Sequence, residues 1–192
     1  MLARFNSSSR GFSLVEVLVS MGLLTAVSMG VAQLFALSTR ANLMAKGATS
    51  TTAMAEQKLE QLRGLTWGFD LLGQGLPLSD TTTNLTVTPP LHNGSGLNPS
   101  PIDSLEQNTA GFVDFLDGGG GWVATGSTPP ASAVYIRRWS IQPLPTNPNN
   151  TLVIQVLVTP VASEATRVTS SFTRTRMAGD ALVVTVRTRK AS

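Results

Sequence analysis

Residues 9–27, SRGFSLVEVLVSMGLLTAV, place a single carboxylate, Glu16, four residues into an otherwise apolar run. The run continues to residue 37, so that residues 12–37 hold 26 positions with one formal charge. At ~1.5 Å per residue, a helix of this length is long enough to cross a hydrocarbon core of ~30 Å. The sequence therefore predicts a membrane-spanning helix that carries one acid near its start.

The residues that precede the apolar run are short, polar and positively charged through Arg4 and Arg10. The positive-inside bias places such a segment on the cytoplasmic side and the rest of the chain across the membrane. A secretory signal peptide would have a shorter apolar region followed by a small-residue cleavage site, and no such site stands cleanly at the far end of this run. We therefore expect residues 12–37 to remain as an anchor.

The residues RGFSLVE, Arg10 to Glu16, resemble the class III signal of type IV prepilins and type II secretion pseudopilins. The resemblance implies that prepilin peptidase, a membrane aspartyl protease, cuts between Gly11 and Phe12, and that the new N-terminal Phe12 is N-methylated. Residues 1–11 are then a cytoplasmic leader, and Glu16 takes the position of the family's glutamate. The resemblance is specific over residues 1–63 and only architectural beyond them.

We expect the carboxylate of Glu16 to have a partner of opposite charge, because an unpaired charge within the membrane costs at least ~3 kcal/mol. In a helix, Phe12 and Glu16 form an i, i+4 pair, and cleavage after Gly11 creates a positive amine close to their shared face. We expect Glu16 to neutralise the Phe12 amine of its own or a neighbouring chain and to set the register of assembly, as the family resemblance implies. The alternative is a glutamate in the headgroup layer of a plain anchor.

Small residues recur every four positions on the same predicted helix, at Gly22, Ala26 and Gly30. A small-xxx-small pattern lets a second helix approach closely in lipid or in a filament core. These three residues are therefore candidate helix-packing positions, and the alternative is that they only soften the helix.

Residues 38–63 predict an amphipathic continuation of the helix, with a weak point at Gly47 and the Thr/Ser cluster 49–52 and a stop at Gly64. The ending AMAEQKLEQLRGL resembles the helix end of PilV-like minor pilins and minor pseudopilins. The predicted apolar face comprises Leu37, Ala41, Met44, Ala48, Ala55, Leu59 and Leu62.

Residues 64–192 predict a loop-rich β domain. Residues 64–132 are rich in turn signals and contain one short candidate strand at Leu85 and Val87. Three stronger strands follow, AVYIRRWSI, TLVIQVLV and ALVVTVRTR, and residues 167–175 give a weaker fourth. The predicted fold is α+β, a long N-terminal helix packed on a C-terminal antiparallel sheet, as in pilins.

The alternation of apolar residues predicts which side of each strand faces the core. In AVYIRRWSI, the apolar residues switch from even-numbered to odd-numbered positions part-way along the strand. We therefore expect a bulge near Arg137 and Arg138. In the other two strands, the residues expected to face inward are Leu152, Ile154, Val156, Val158, Leu182, Val184 and Val186. Those expected to face outward in the last strand are Thr185, Arg187 and Arg189.

The charges of the globular part divide into two blocks. Residues 64–136 carry six acids and no Lys or Arg, whereas residues 137–192 carry a net charge of about plus six. Opposed blocks either attract one another, within or between subunits, or form two solvated surfaces. Nucleic-acid binding is not expected, because only Trp139 and Phe172 offer stacking near the basic residues, which are Arg174, Arg176, Arg187, Arg189 and Lys190.

Residues suited to catalysis or metal binding are scarce. The chain has no cysteine and one histidine, His92, which lies in a Gly/Pro-rich loop without the spacing of a catalytic triad. Asp114 and Asp117 precede four glycines, but the acid spacing of a calcium loop is missing. We therefore expect no enzymatic activity, no cofactor and no metal.

The resemblance implies a structural minor pilin or pseudopilin subunit. Its implied partners are prepilin peptidase, other pilin or pseudopilin subunits, the inner-membrane assembly platform and membrane lipid. The globular part is then periplasmic until the chain joins a type IV pilus or a secretion pseudopilus. The alternative from another class is a membrane-anchored or pilus-borne adhesin whose acidic loops bind a ligand through Trp67 and Trp122.

Overall fold

The computed structural model describes residues 11–164, 167, 169–170, 173–174 and 176–189. The chain divides into two compact units, Met1–Leu43 and Met44–Ser192. The elements are helices α1 (Leu14–Gly64) and α2 (Val161–Glu164) and strands β1 (Trp67–Phe69), β2 (Pro77–Ser79), β3 (Val113–Leu116), β4 (Trp122–Ala124), β5 (Tyr135–Pro143), β6 (Thr151–Pro160), β7 (Thr169–Ser170), β8 (Thr173–Arg174) and β9 (Ala181–Thr188).

The described part of the first unit is the N-terminal part of α1 and the three residues before it. All of its side chains from Gly11 to Leu43 are exposed. An 18-residue window of α1 has a mean hydropathy of 2.0, so the helix is long and apolar enough to cross a membrane. The predicted leader, apart from Gly11, lies outside the described residues.

Helix α1 continues unbroken through the predicted weak point and ends at Gly64, as expected. The hydroxyl of Thr51 donates to the carbonyl oxygens of Gly47 and Ala48, and that of Thr52 donates to Ala48. These bonds satisfy the polar side chains inside the helix, so the Thr/Ser cluster does not interrupt it.

The buried face of α1 is confined to its C-terminal part. The prediction is correct for Ala55, Leu59 and Leu62, which are buried. The other four residues of the predicted apolar face are exposed, because an apolar stripe shows where a helix can pack and not whether a partner lies there. These four are Leu37, Ala41, Met44 and Ala48.

Five antiparallel strands form the main sheet in the order β4-β3-β5-β6-β9, which confirms the predicted α+β fold. One sheet face packs against the buried face of α1. Strand β6 turns its predicted inward residues to this core, where they join Leu59 and Leu62. These core residues of β6 are Leu152, Ile154, Val156 and Val158.

Strand β5 is covered on both faces. Trp139 and Ile141 belong to the core under α1, whereas Ile136 lies in a second, smaller core on the other face. The predicted bulge near Arg137 and Arg138 is wrong, since β5 and β6 pair without a break in register. Apolar residues occupy both odd- and even-numbered positions of β5 because both of its faces are buried.

Strand β9 faces the opposite way from the prediction. Leu182, Val184 and Val186 are 42%, 48% and 60% exposed. Arg187 lies directly opposite the core residue Leu152 of β6 in the strand register. It therefore lies on the sheet face that packs against α1.

The end of α1 gives the physical reason for this reversal. A helix end leaves backbone carbonyl groups without intrahelical partners. The guanidinium of Arg187 donates to the carbonyl of Leu62 at 3.0 Å and also to that of Leu65. This contact requires Arg187 to face inward, which turns the alternate residues of β9 to solvent.

The region 64–132 contains more strands than predicted, but not the expected one. Leu85 lies in a turn, and the only bridge nearby joins Asn84 to Leu91. The side chain of Asn84 accepts both the N–H and the hydroxyl of Thr86, which favours a turn over a strand. The weak fourth strand is instead a separate hairpin, β7 and β8, and residues 168, 171, 172 and 175 lie outside the described residues.

Candidate functional site

The N-terminal segment holds the residues predicted to be processed. Phe12 is 82% exposed and precedes α1, which begins at Leu14. Phe12 therefore lies just before the helix that contains Glu16, and the pairing of Glu16 with the amine created at Phe12 stays a prediction. Glu16 lies in the first turn, where the helix dipole favours a negative charge.

The same residues carry a helix-start signature that the sequence interpretation missed. Ser13 is the N-cap residue, since its carbonyl accepts the Val17 N–H at 3.2 Å, and Glu16 then occupies position N3 of an S-x-x-E sequence pattern, although its side chain makes no hydrogen bond within the described residues. Phe12 and Val17 hold the two positions of a hydrophobic staple and line one shallow groove. This pattern could have placed the helix start at Leu14.

The carboxylate of Glu16 is exposed and makes no hydrogen bond or ion pair within the described residues. Gly22, Ala26 and Gly30 are exposed on the same helix. An added Cβ at Gly22 or Gly30 would meet no atom within 4 Å. Residues four apart advance by ~40°, so the three positions lie within a sector of ~80°.

A buried ionic cluster joins α1 to the sheet in the second unit. Lys58 on α1 lies 2.7 Å from the carboxylate of Asp114 on β3, and Arg137 on β5 lies at the same distance from it. The Lys58 ammonium also lies 4.0 Å from the ring centroid of Trp139. Burial lowers the pKa of Lys58 to about 8, although the attraction of Asp114 opposes this shift.

Asp114 and Asp117 have separate structural roles. The carboxylate of Asp114 forms ion pairs with Lys58 and Arg137. Asp117 instead accepts the N–H groups of Gly119 and Gly121 and so caps the glycine turn. Among the residues that the structure describes, no group of three or more His, Cys, Asp or Glu is placed to hold a metal ion.

The opposed charge blocks meet at the Asp114–Arg137 pair. Other ion pairs of the basic block use acids of that same block. Arg138 pairs with Glu164, and Arg167 pairs with Asp180, each at 2.7 Å.

The two tryptophans of the adhesin hypothesis lie on different sheets. Trp67, on β1 of the two-stranded sheet, is 8% exposed and lies beneath the guanidinium of Arg189, which follows β9, at 3.6 Å from the ring centroid. Trp122 is 37% exposed on β4, the edge strand of the main sheet opposite β9. The structure does not bring them into one ligand site. His92 is exposed.

The basic residues also differ in what they do. Arg187 and Arg189 are engaged with backbone carbonyl groups and Trp67. They therefore do not form the outward basic strand surface that the sequence predicted. Nothing is described for the side chain of Arg174 or for Lys190, which lie outside the described side chains.

Residues 6–32 match the family model described as the prokaryotic N-terminal methylation motif. These residues carry the N-terminal signal of pilin-like proteins. The matched residues include the predicted cleavage site and Glu16, and the motif is the class III signal of type IV pilins and pseudopilins. No curated protein and no solved structure matches the chain.

The match and the architecture agree with one another. The motif supports a pilin-like substrate of prepilin peptidase and points to a structural subunit. The apolar start of α1 is consistent with a membrane anchor, and α1 on an antiparallel sheet is a pilin-like arrangement.

Proposed function

We propose that this pilin-like chain is a minor structural subunit that prepilin peptidase cuts after Gly11 and that is then methylated at Phe12. It is inserted into a type IV pilus or secretion pseudopilus from the inner membrane, with its second unit in the periplasm. The observation that carries the proposal is the match over residues 6–32, which includes Gly11, Phe12 and Glu16.

The structure of the first unit supports a role in helix packing. Its apolar side chains are exposed throughout the described residues 11–43, and lipid or neighbouring helices would remove them from water. Glu16 has no partner among the described residues, and the amine created at Phe12 supplies a charge of the opposite sign. The small residues Gly22, Ala26 and Gly30 would let neighbouring helices approach.

Mass spectrometry of the N-terminus tests the proposal directly. The full chain is expressed with and without prepilin peptidase, and the membrane fraction is digested. We expect an N-terminal peptide that begins at methylated Phe12 only when the peptidase is present. Recovery of residues 1–11 still attached, in cells that process another prepilin, would contradict the proposal.

The variant Gly11→Val provides a matched control, because it adds bulk at the cut and leaves α1 unchanged. We expect it to remain uncut and to stay in the membrane. A chain that is cut equally well with Val at this position would place the cleavage elsewhere.

A further inference from the structure

A cleft of about 750 Å³ lies beside the end of α1, the β1–β2 hairpin and the end of β9. Its lining combines exposed apolar side chains with cations, and we name it the arginine cleft after this feature. Leu71 is 94% exposed in it, and Val186 is 60% exposed. The residues that define it are Arg63, Trp67, Leu71, Leu78, Val186 and Arg187.

The turn that presents Leu71 to water is held in place by hydrogen bonds. The carboxylate of Asp70 accepts the N–H of Leu76 at 3.0 Å, and Gly73 and Gly75 adopt φ values of 70° and 71°. These conformations favour glycine, so the sequence specifies this turn. The exposed side chains of Leu71, Leu78 and Val186 line the same cleft, and exposed apolar side chains grouped in this way are typical of an interaction surface.

The arginines of the cleft have little negative charge to balance them. Arg187 and the adjacent Arg189 bind backbone carbonyl groups, and neither pairs with a carboxylate in the described part of the chain. Among the described residues, Arg63 pairs only with Glu60, at the exposed surface. Burial, and then the charge of Arg63, lowers the pKa of Arg187, so a carboxylate in the cleft would be favoured.

A second exposed turn of the same unit has the complementary composition. Ile102 is 94% exposed, and the exposed carboxylate of Asp103 has no hydrogen bond or ion pair within the described residues. The turn is fixed because Ser104 N–H donates to Pro101 at 3.2 Å. It shares no residue with the arginine cleft.

We propose that the arginine cleft of one subunit receives the Ile102–Asp103 turn of a second copy of this chain. Ile102 packs against Leu71 and Val186, and Asp103 faces Arg63. Because the two surfaces are different, the contact is heterologous and can repeat from copy to copy. It rests on the proposed function and adds that this subunit enters the assembly as a run of at least two copies.

Cysteine cross-linking tests the contact, since the chain has no native cysteine. The full chain with Ile102→Cys and Val186→Cys is oxidised in membranes that contain prepilin peptidase. We expect disulfide-linked dimers and higher multimers. Each single variant, and the pair Ile102→Cys with Leu182→Cys, serves as a matched control and should remain monomeric.

Two results would overturn the proposal. The first is the absence of cross-links in the Ile102/Val186 pair when the N-terminus has been cut at Phe12; this leaves the proposed function standing. The second is a dimer from Val186→Cys alone, which would mean symmetric pairing of β9 edges. Multimers from an uncut chain would instead support the cleft contact and contradict the proposed function.

A charge exchange tests the electrostatic part. In the cross-linking pair, we expect Asp103→Arg or Arg63→Asp to lower the cross-linked fraction by about tenfold, and the two together to restore it. Both side chains are exposed, so the thermal unfolding of the variants should match that of the parent chain. Equal losses in the single and double variants would contradict a direct Asp103–Arg63 contact.

Discussion

In the first unit Leu14 and Leu18 are 78% and 65% exposed, whereas in the second unit Lys58 and Asp114 have no exposed side-chain surface. The first unit places its apolar groups outside, and the second places charges inside. A helix forms its own backbone hydrogen bonds, so the first unit needs no tertiary partner to keep its shape, but its surface needs an apolar environment. The charges in the second unit depend on partners supplied by the fold.

This contrast separates the effects of substitutions in the two units. Changes to the ionic cluster should alter the free energy of unfolding, because each cluster member is buried against the others. Changes at the start of α1 should alter assembly and leave the free energy of unfolding almost unchanged. The predictions below test this separation, beginning with the largest expected change in unfolding free energy.

Asp114→Ala should give the largest loss. It leaves Lys58 and Arg137 buried without their shared carboxylate, and breaking a buried pair in this way costs about 3–5 kcal/mol. This loss of unfolding free energy is measured by denaturant unfolding of the full chain in detergent micelles, with tryptophan fluorescence as the signal. The control Glu56→Ala removes an exposed carboxylate of α1 and should change stability by less than about 0.5 kcal/mol. Equal losses would place the charges of the cluster in solvent.

The pH dependence of stability should reveal Lys58. Its pKa is about 8 in the folded chain against an ordinary value of 10.5, so the unfolded chain binds more protons between these values. The free energy of unfolding should therefore rise between about pH 8 and 10.5, by roughly 3 kcal/mol, and the contribution of Lys58 should be independent of pH below that range. Lys58→Met should lose this rise, and an identical rise in that variant would contradict the assignment.

Glu16→Gln should have the smallest effect on unfolding, because the side chain is exposed and bonds to no described residue. We expect a change of less than about 0.5 kcal/mol in detergent. Incorporation into assemblies should nevertheless fall strongly, as measured by the share of the chain in sheared filaments or pseudopili. Glu56→Gln, an exposed glutamate farther along the helix, is the control. Wild-type incorporation of Glu16→Gln would exclude its role in register.

The predictions from sequence succeeded where the signal was local. The α1 end at Gly64 and the inward face of β6 follow from a helix stop and from continuous apolar alternation. The S-x-x-E pattern from Ser13 to Glu16, which marks the helix start, is also local and was available in the sequence. Each of these features depends on residues within a few positions of one another.

The failures occurred where a distant element decides what covers a residue. The alternation in β9 correctly indicates two different faces, but the carbonyl groups of Leu62 and Leu65, at and just after the end of α1, bind Arg187 and turn its face inward. The switch of apolar residues from even to odd positions in β5 would indicate a bulge only if one sheet face were exposed to solvent. Here both faces are covered. Leu37 and Met44 fit an apolar stripe that has no partner in the described chain.

The sequence alone determined the processing motif, the apolar helix with Glu16 in its first turn, and the α+β class. These are properties of hydrophobicity, charge and spacing along a short stretch of chain. Only the tertiary structure decided the Lys58–Asp114–Arg137 cluster, the orientation of β9 and the arginine cleft. Each of these joins residues far apart in sequence, because burial and electrostatic pairing depend on distances in space and on which faces the fold covers.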